Sequence, residues 1–414
     1  MSVRFNATHP EAENKVVSRF KAFMEPIKTK VRPVVAKWLN NNAMWLVIGG
    51  TLFLVGMGML MGTSASMDIA ASRYNDAFFF LKRQLIYLFL SCFCCAAVLK
   101  IPIIKWRVAY PWLLLLSTVG LIFVLVPGIG KSVNGSARWI GFGPFNIQVS
   151  EFSKWFLVLF VADYIVRRKS EIQTNVMAFI KPMLIVGVTV LLLLAEPDFG
   201  ASAVIVGTTL MMLFVAGSSL LPFITLLALL LISAGMLVMF QEYRWERIIA
   251  YTDPWMHQFN SGYQLTQSLI AFGQGGLTGR GLGESVQKLF YLPEAHTDFV
   301  FAVLAEELGL VMCLTVCLVY SLLTFGIFCI AYRALKRSAL FESYAVFGVG
   351  LLVSIQAILN MGVNTGLLPT KGLTLPLMSY GGSSILVTLS MLAFVLRVEY
   401  ENRRPTRFLG WSGF

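Results

Sequence analysis

The sequence predicts an all-α polytopic membrane protein, and three observations carry that expectation. The chain has 414 residues, of which 57% are hydrophobic and 13% charged, with a mean hydropathy of +0.74. Such a composition excludes an ordinary soluble domain. Its apolar segments are long enough to span a bilayer as helices. The charges gather in tails and short loops, so the formal net charge of +12 reads as a topology signal rather than a nucleic-acid surface; no nucleic-acid partner is expected.

Ten hydrophobic spans are expected, at roughly 44–62, 84–99, 109–126, 152–166, 182–195, 200–216, 220–240, 299–332, 344–364 and 380–396. An even number places both termini on one side. With the N-terminus inside, 22 Lys and Arg fall on the cytoplasmic side and 11 on the other, a bias that supports two cytoplasmic termini. The division is then a cytoplasmic tail over 1–43, a membrane domain over 44–397 and a cytoplasmic tail over 398–414. Residues 1–43 hold eight Lys or Arg and no apolar core of a cleavable signal peptide. An amphipathic piece around Val16–Phe23 suits anionic membrane lipid. The six cysteines all lie in apolar segments without disulfide or metal spacing, and are expected as packing residues.

On this topology a large loop, about 241–298 between the seventh and eighth spans, faces outward. So do the 127–151 loop, the Glu196-Pro197-Asp198 turn and the 365–380 loop. The most charged junction is Tyr291–Glu307, where Glu294, His296, Asp298, Glu306 and Glu307 fall within 17 residues. Charge at a membrane boundary is costly and therefore a candidate for function. Thr297 is a suitable N-cap, which would put Asp298 in the first helical turn. Asp298 to Tyr332 would reach roughly 50 Å as one helix against a hydrocarbon core of about 30 Å. Its first turns are therefore expected in the outer headgroup layer or along a polar cavity. Glu306 is a candidate for such a cavity, while Glu294 and Glu307 are expected to be structural, Glu307 by pairing with a basic group.

The 127–151 loop sets Lys131, Arg138 and Glu151 among Gly and Ser, a pattern suited to phosphate or pyrophosphate. Gly273–Gly283, with six glycines in eleven residues and Arg280, is a loose phosphate-cradling pattern without the strand-to-helix context of a nucleotide fold. Lys371, alone in a Pro/Gly loop on the outer face, is expected to neutralise an anionic ligand. Asp198 is expected to cap a helix. There is no HExxH motif and no Cys/His metal cluster.

Several of these stretches resemble the SEDS (shape, elongation, division, sporulation) proteins. They are Gly262-Tyr263-Gln264 with Gln267–Ala271, then Gln287–Phe299, then Leu367–Ser384, and the likeness extends over nearly all ten spans. The Tyr291–His296 wording and the long basic tail look more like the division branch than the elongation branch. The resemblance implies a peptidoglycan glycosyltransferase polymerising lipid II at the division septum of the bacterial inner membrane. It also implies a class B penicillin-binding protein as transpeptidase partner, alongside other division proteins. The family's catalytic acid falls on Asp298. Lys371, Arg138 and Lys131 would then steady the lipid pyrophosphate, with Glu151, His296 and Glu306 as further substrate-binding candidates. A divalent cation, Mg2+ or Mn2+, bridging Asp298 and pyrophosphate also fits the charges, although no dedicated ligand set is visible. The chain departs from the family pattern at Val149, where a Pro is usual, and at Glu196, where a Gln is usual. The second change adds a negative charge near the outer face if Glu196 is ionised. Two other readings are a carrier that flips the lipid-linked precursor and a non-catalytic scaffold of the division machinery.

Overall fold

The computed structural model describes residues 41–133, 136–142, 145–218, 249–370 and 372–403, with isolated positions between 223 and 246. Most of the expected 220–240 span, most of the two tails and Lys371 lie outside the described residues. Within them run helices α1 (Ala43–Tyr74), α2 (Phe79–Lys100), α3 (Ile103–Leu125), α4 (Val149–Arg167), α5 (Lys169–Thr174), α6 (Val176–Ala195) and α7 (Phe199–Val215). They continue with α8 (Tyr263–Gly275), α9 (Val300–Lys336), α10 (Leu340–Asn364) and α11 (Gly382–Arg403). Seven of these helices are long and apolar enough to cross a membrane. The 17-residue α7 is shorter, and α4 carries Glu151, Lys154, Asp163 and Arg167 along its length.

The apolar stretches of α10 and α11 are 72% and 78% buried, whereas those of α1, α2 and α3 are 22% buried. The last two helices are thus the centre of the bundle, and side chains such as Phe89, Phe93, Trp112 and Leu116 form its outer face. Lipid tails are as apolar as a helix surface, so close backbone approach has to supply much of the packing. Gly58 of α1 provides one such approach: a Cβ there would lie 2.6 Å from the Leu377 carbonyl oxygen. At the other end of the bundle Asp163 accepts from Tyr110 at 2.8 Å and pairs with Arg107 at 2.7 Å and Arg167 at 2.6 Å, joining α3 to α4.

Two expectations are corrected. The 127–151 segment is not only loop: β1 (Gly130–Val133), β2 (Ser136–Phe142) and β3 (Phe145–Gln148) form an antiparallel meander. Ser383 at the start of α11 fastens it, accepting from the Gln148 amide at 2.9 Å and donating to the Asn146 carbonyl at 3.3 Å.

The second correction concerns α9, which is not one straight rod. It breaks at Gly309, where φ is 73° and ψ is −173°. A break leaves carbonyls and amides without intrahelical partners, and buried groups of that kind must be paired. The glycine-rich stretch after α8 pairs them. Arg280 and Gly281 donate their amides to the carbonyls of Glu306 and Glu307, both at 3.0 Å. Leu310 and Val311 donate to the carbonyls of Gly276 and Leu277 at 3.0 and 3.2 Å. Glycines are needed because the two backbones nearly touch: a Cβ at Gly279 would lie 2.1 Å from the Glu307 carbonyl oxygen. The Gly273–Gly283 pattern therefore serves a helix break, not a phosphate.

Replacing Gly309 with Ala would force an L side chain into positive φ and drive its Cβ to 2.4 Å from the Gly279 nitrogen. Strain of this kind costs about 1–3 kcal/mol before the clash is counted. The expected result is a clearly lower thermal midpoint in detergent, whereas Gly187→Ala, inside α6 at a position with nothing within 4 Å, does not lower it. Equal midpoints for the two variants would contradict this account of the break.

Candidate active site at the loop end of the bundle

Asp298 lies just before α9, not in its first turn: the helix begins at Val300 and Phe299 is its cap residue. Thr297 does not cap it, but donates its hydroxyl to the Glu294 carboxylate at 2.8 Å. Glu294 takes positive φ, 56°. Its carbonyl accepts the amides of Thr297, Asp298 and Phe299 at 3.2, 3.0 and 3.3 Å. Residues 294–299 thus form a tight knot that presents the Asp298 side chain at the end of the short N-terminal arm of α9.

Two other segments converge on that carboxylate. Gly372 approaches so closely that a Cβ there would be 3.1 Å from Asp298 Oδ2 and 3.8 Å from Arg138 Nη1. Arg138 reaches in from β2, and its guanidinium donates to the Pro197 carbonyl at 2.7 Å and the Glu196 carbonyl at 3.4 Å. The guanidinium is thereby oriented by backbone while its charge faces Asp298. Burial pushes the Asp298 carboxyl up to about 7; Glu294 and Asp198 act in the same direction and Arg138 opposes them. A carboxylate of this kind titrates near neutrality and holds a proton far more strongly than an ordinary aspartate.

The remaining expected site residues separate. Lys131 does not join Asp298 in these contacts: its side chain crosses Gly141, and its ammonium is 3.4 Å from Asn146 Oδ1, on the exposed side of the sheet. Glu151 is buried in α4 and pairs with Lys154 at 2.9 Å; Lys154 also donates to Gln356 at 2.7 Å. His296 is packed between Phe80 and Tyr380, with ring centroids 4.8 and 5.7 Å away. Its carbonyl accepts the Tyr380 amide at 2.9 Å. Burial lowers the His296 pKa, so the ring is neutral at physiological pH and serves to join the 291–299 and 365–381 segments.

Glu306 is no open cavity residue. It is fully buried, and accepts from the Ser285 hydroxyl at 2.5 Å and the amides of Val286 and Gln287 at 2.9 and 3.3 Å, with Arg280 at 3.7 Å. Glu307 is paired, as expected, with Lys288 at 2.9 Å and also accepts from Ser64 at 2.7 Å. A cavity of about 860 Å³ opens between α1 and residues 282–289, beside this pair; neither Asp298 nor Arg138 lines it. No group of three or more His, Cys, Asp or Glu side chains among the described residues is placed to hold a metal ion.

A stripe of amides in α10, not among the residues expected from the sequence, also reaches the site. Gln356, Asn360 and Asn364 are spaced four apart in an apolar helix, so they share one face. That spacing was the available signal. Asn360 donates to the Asp298 carbonyl at 2.8 Å and Asn364 to the same oxygen at 3.0 Å.

Glu196 settles another expectation. It is 1% exposed, and neither carboxylate oxygen has a hydrogen-bond partner among the described residues. Burial, reinforced by Asp198, pushes it up to about 8. The group is therefore neutral at pH 7 and adds no charge; it is a near-isostere of the glutamine usual at this position. Asp198 accepts from the Ala201 amide at 3.1 Å and caps α7.

A helix bundle with a partly buried carboxylate and an oriented guanidinium under a roof of loops defines a polytopic membrane protein with a polar site at one face. The chain belongs to the FtsW/RodA/SpoVE family of cell cycle proteins, whose model matches residues 44–404. It is 49% identical over 357 residues to a probable peptidoglycan glycosyltransferase FtsW of Coxiella burnetii, covering 86% of this chain and 96% of that one. The corresponding protein of Pseudomonas fluorescens is 48% identical over 359 residues, covering 86% and 88%. The rod shape determining protein RodA of Thermus thermophilus has the same fold, with a TM-score of 0.65 at 26% identity over 87% of this chain and 98% of that one. A chain of a peptidoglycan synthase complex that coordinates polymerization and crosslinking gives a TM-score of 0.68 at 27% identity, over 86% and 98%.

The Glu196 carboxyl yields a prediction with a definite sign. Its folded pKa lies above the ordinary value of 4.5, so the folded state holds the proton more tightly. Stability from this group is complete at low pH and is lost as pH rises from about 4.5 to about 8. Glu196→Gln should match the native protein in thermal midpoint near pH 5 and exceed it at pH 8. A variant that is less stable at both values would contradict the neutral-acid assignment.

Proposed function

We propose that this protein is a peptidoglycan glycosyltransferase that polymerises lipid II into β-1,4-linked glycan strands. The observation that carries the reading is the Asp298 carboxyl, raised to about 7 beside the oriented Arg138 guanidinium, in a chain of this family. Lipid pyrophosphate is a good leaving group once its charge is countered, whereas a sugar hydroxyl is a poor nucleophile until its proton is removed. One positioned base and fixed cations meet both needs.

Ionised Asp298 takes the proton of the acceptor 4-hydroxyl as its oxygen attacks the anomeric carbon of the donor. The bond from that carbon to the pyrophosphate oxygen breaks, and the electron pair leaves with the pyrophosphate. A single displacement turns the α-linked donor into a β-linked product. Arg138 steadies the departing charge, with Lys371, beside Gly372 in the chain, in the same role. Glu151 and Glu306 hold structure rather than substrate. His296 shapes the wall as a neutral ring.

In this reading the chain makes ten spans with both termini cytoplasmic, and the loop before α9 faces the periplasm. It works in the inner membrane at the division septum with a class B penicillin-binding protein. Two observations support this: relatives with division-protein names at 48–49% identity and a like-folded chain within a peptidoglycan synthase complex.

Asp298→Asn keeps shape and removes the base. In proteoliposomes holding the partner and labelled lipid II, polymerisation should fall by about 10²–10⁴-fold while partner binding persists. Chains made at the native rate would exclude Asp298 as base, and loss of lipid translocation alone would favour a carrier. The native rate should rise with pH through a midpoint of about 7, because only the ionised carboxylate accepts a proton. For topology, a single cysteine replacing the exposed Glu284 should react with an impermeant maleimide from the periplasmic side. Labelling only from the cytoplasm would invert the orientation.

A further inference from the structure

The amide stripe of α10 joins three segments that are far apart in the chain. Gln356 donates to the Thr374 carbonyl at 3.0 Å and accepts from Lys154. One turn on, the Asn360 amide nitrogen donates to the Leu373 carbonyl at 2.5 Å and to the Asp298 carbonyl at 2.8 Å. After another turn Asn364 donates to Asp298 at 3.0 Å, while its oxygen accepts the Ala302 amide at 3.2 Å. All three side chains are buried.

An amide nitrogen has two hydrogens, and Asn360 gives one to each of two backbone carbonyls. Both partners are acceptors only, so no carboxylate and no apolar side chain of the same size can replace it. The two carbonyls belong to the residue carrying the candidate base and to the turn that roofs it. Between them lies Gly372, which approaches the Asp298 carboxylate. Without Asn360 the Leu373 carbonyl loses this donor and the Asp298 carbonyl keeps only that of Asn364; a carbonyl left unpaired in a dry interior costs its full desolvation, so this bridge ties the roof to the Asp298 backbone.

We propose that Asn360 is a positioning residue of the reaction. It bridges Asp298 to the Leu373 turn so that the roof excludes water from the carboxylate, and Asn364 provides the second attachment. The inference rests on the reading of Asp298 as base. It also explains how a residue in an irregular loop is held to the tolerance that proton transfer demands, since misplacement of about 1 Å can cost on the order of 100-fold in rate.

The test is steady-state kinetics of Asn360→Leu, close in size but without donors, in the complete complex with its partner and lipid II, with Asp298→Asn in parallel. Membrane level and partner binding should be retained, kcat should fall by at least about tenfold, and KM should change by less than about threefold. The acid limb of the pH–rate profile should also move below the native midpoint of about 7, because water reaches the carboxylate. The other charges that act on it are Glu294 in its own turn, Arg138 from β2 and Asp198 from the α6–α7 turn, and none is altered. Native kcat with an unmoved acid limb would overturn the proposal. Should Asn360→Leu fail to accumulate, Asn364→Asp keeps the oxygen that accepts from Ala302 and removes the amide hydrogens. It is expected to lower kcat by about threefold or more, and native kinetics would overturn the proposal equally. An inactive Asp298→Asn beside native Asn360→Leu refutes the positioning role alone, whereas an active Asp298→Asn refutes the base assignment itself.

Discussion

The break of α9 at Gly309 is the constraint on which the rest of the site depends. An unbroken helix from Asp298 to Lys336 would carry two acids, Glu306 and Glu307, along a rod too long for the hydrocarbon layer. The break redirects the first nine residues of the helix, and four backbone hydrogen bonds to the Gly276–Gly281 stretch satisfy the groups it exposes. With that arm fixed, Glu306 and Glu307 are absorbed into the loop: one accepts the Ser285–Gln287 backbone and hydroxyl, the other neutralises Lys288. Asp298, at the free end of the same arm, is the acid left to face the converging loops. The division of labour among neighbouring carboxylates is therefore a consequence of one positive φ.

The same logic governs the cationic side. Arg138 is aimed by two backbone carbonyls of the α6–α7 turn, so its charge remains available to a ligand. An arginine bound to a carboxylate would already be neutralised. Glu196, directly in that turn, avoids competing because burial keeps it protonated. Two acids in this region, Glu196 and Asp298, are thus raised by burial to about 8 and about 7. Arg138 opposes the rise at both; the difference is in access, since Asp298 is partly exposed beneath the roof while Glu196 is sealed.

Much of this was legible in the sequence. Apolar runs locate nine of the ten expected spans on described helices, because a segment facing lipid has to be apolar throughout. The concentration of acids over Tyr291–Glu307 marks the region, and the family resemblance, not the pattern alone, points within it to Asp298. The paired state of Glu307 follows from the cost of an isolated charge in a membrane, although its partners Lys288 and Ser64 lie 19 and 243 residues away. The rest was hidden for physical reasons. Lys131 and Arg138 look equivalent in a Gly-rich stretch, and only the β1–β2 register separates them. Glycines that pair a broken helix carry the same composition as glycines that cradle phosphate. Gln356, Asn360 and Asn364 read as ordinary polar interruptions until the carbonyls they reach from other segments are known.

As the proposed base, Asp298 has a proton affinity set by its roof and its neighbours. Its direct test is a pH titration of the protonated Asp298 carboxyl stretch by difference infrared spectroscopy in lipid, assigned by its disappearance in Asp298→Asn. A midpoint of about 7 is expected. A midpoint near the ordinary aspartate value of 3.8 would show a solvated carboxylate and contradict the account.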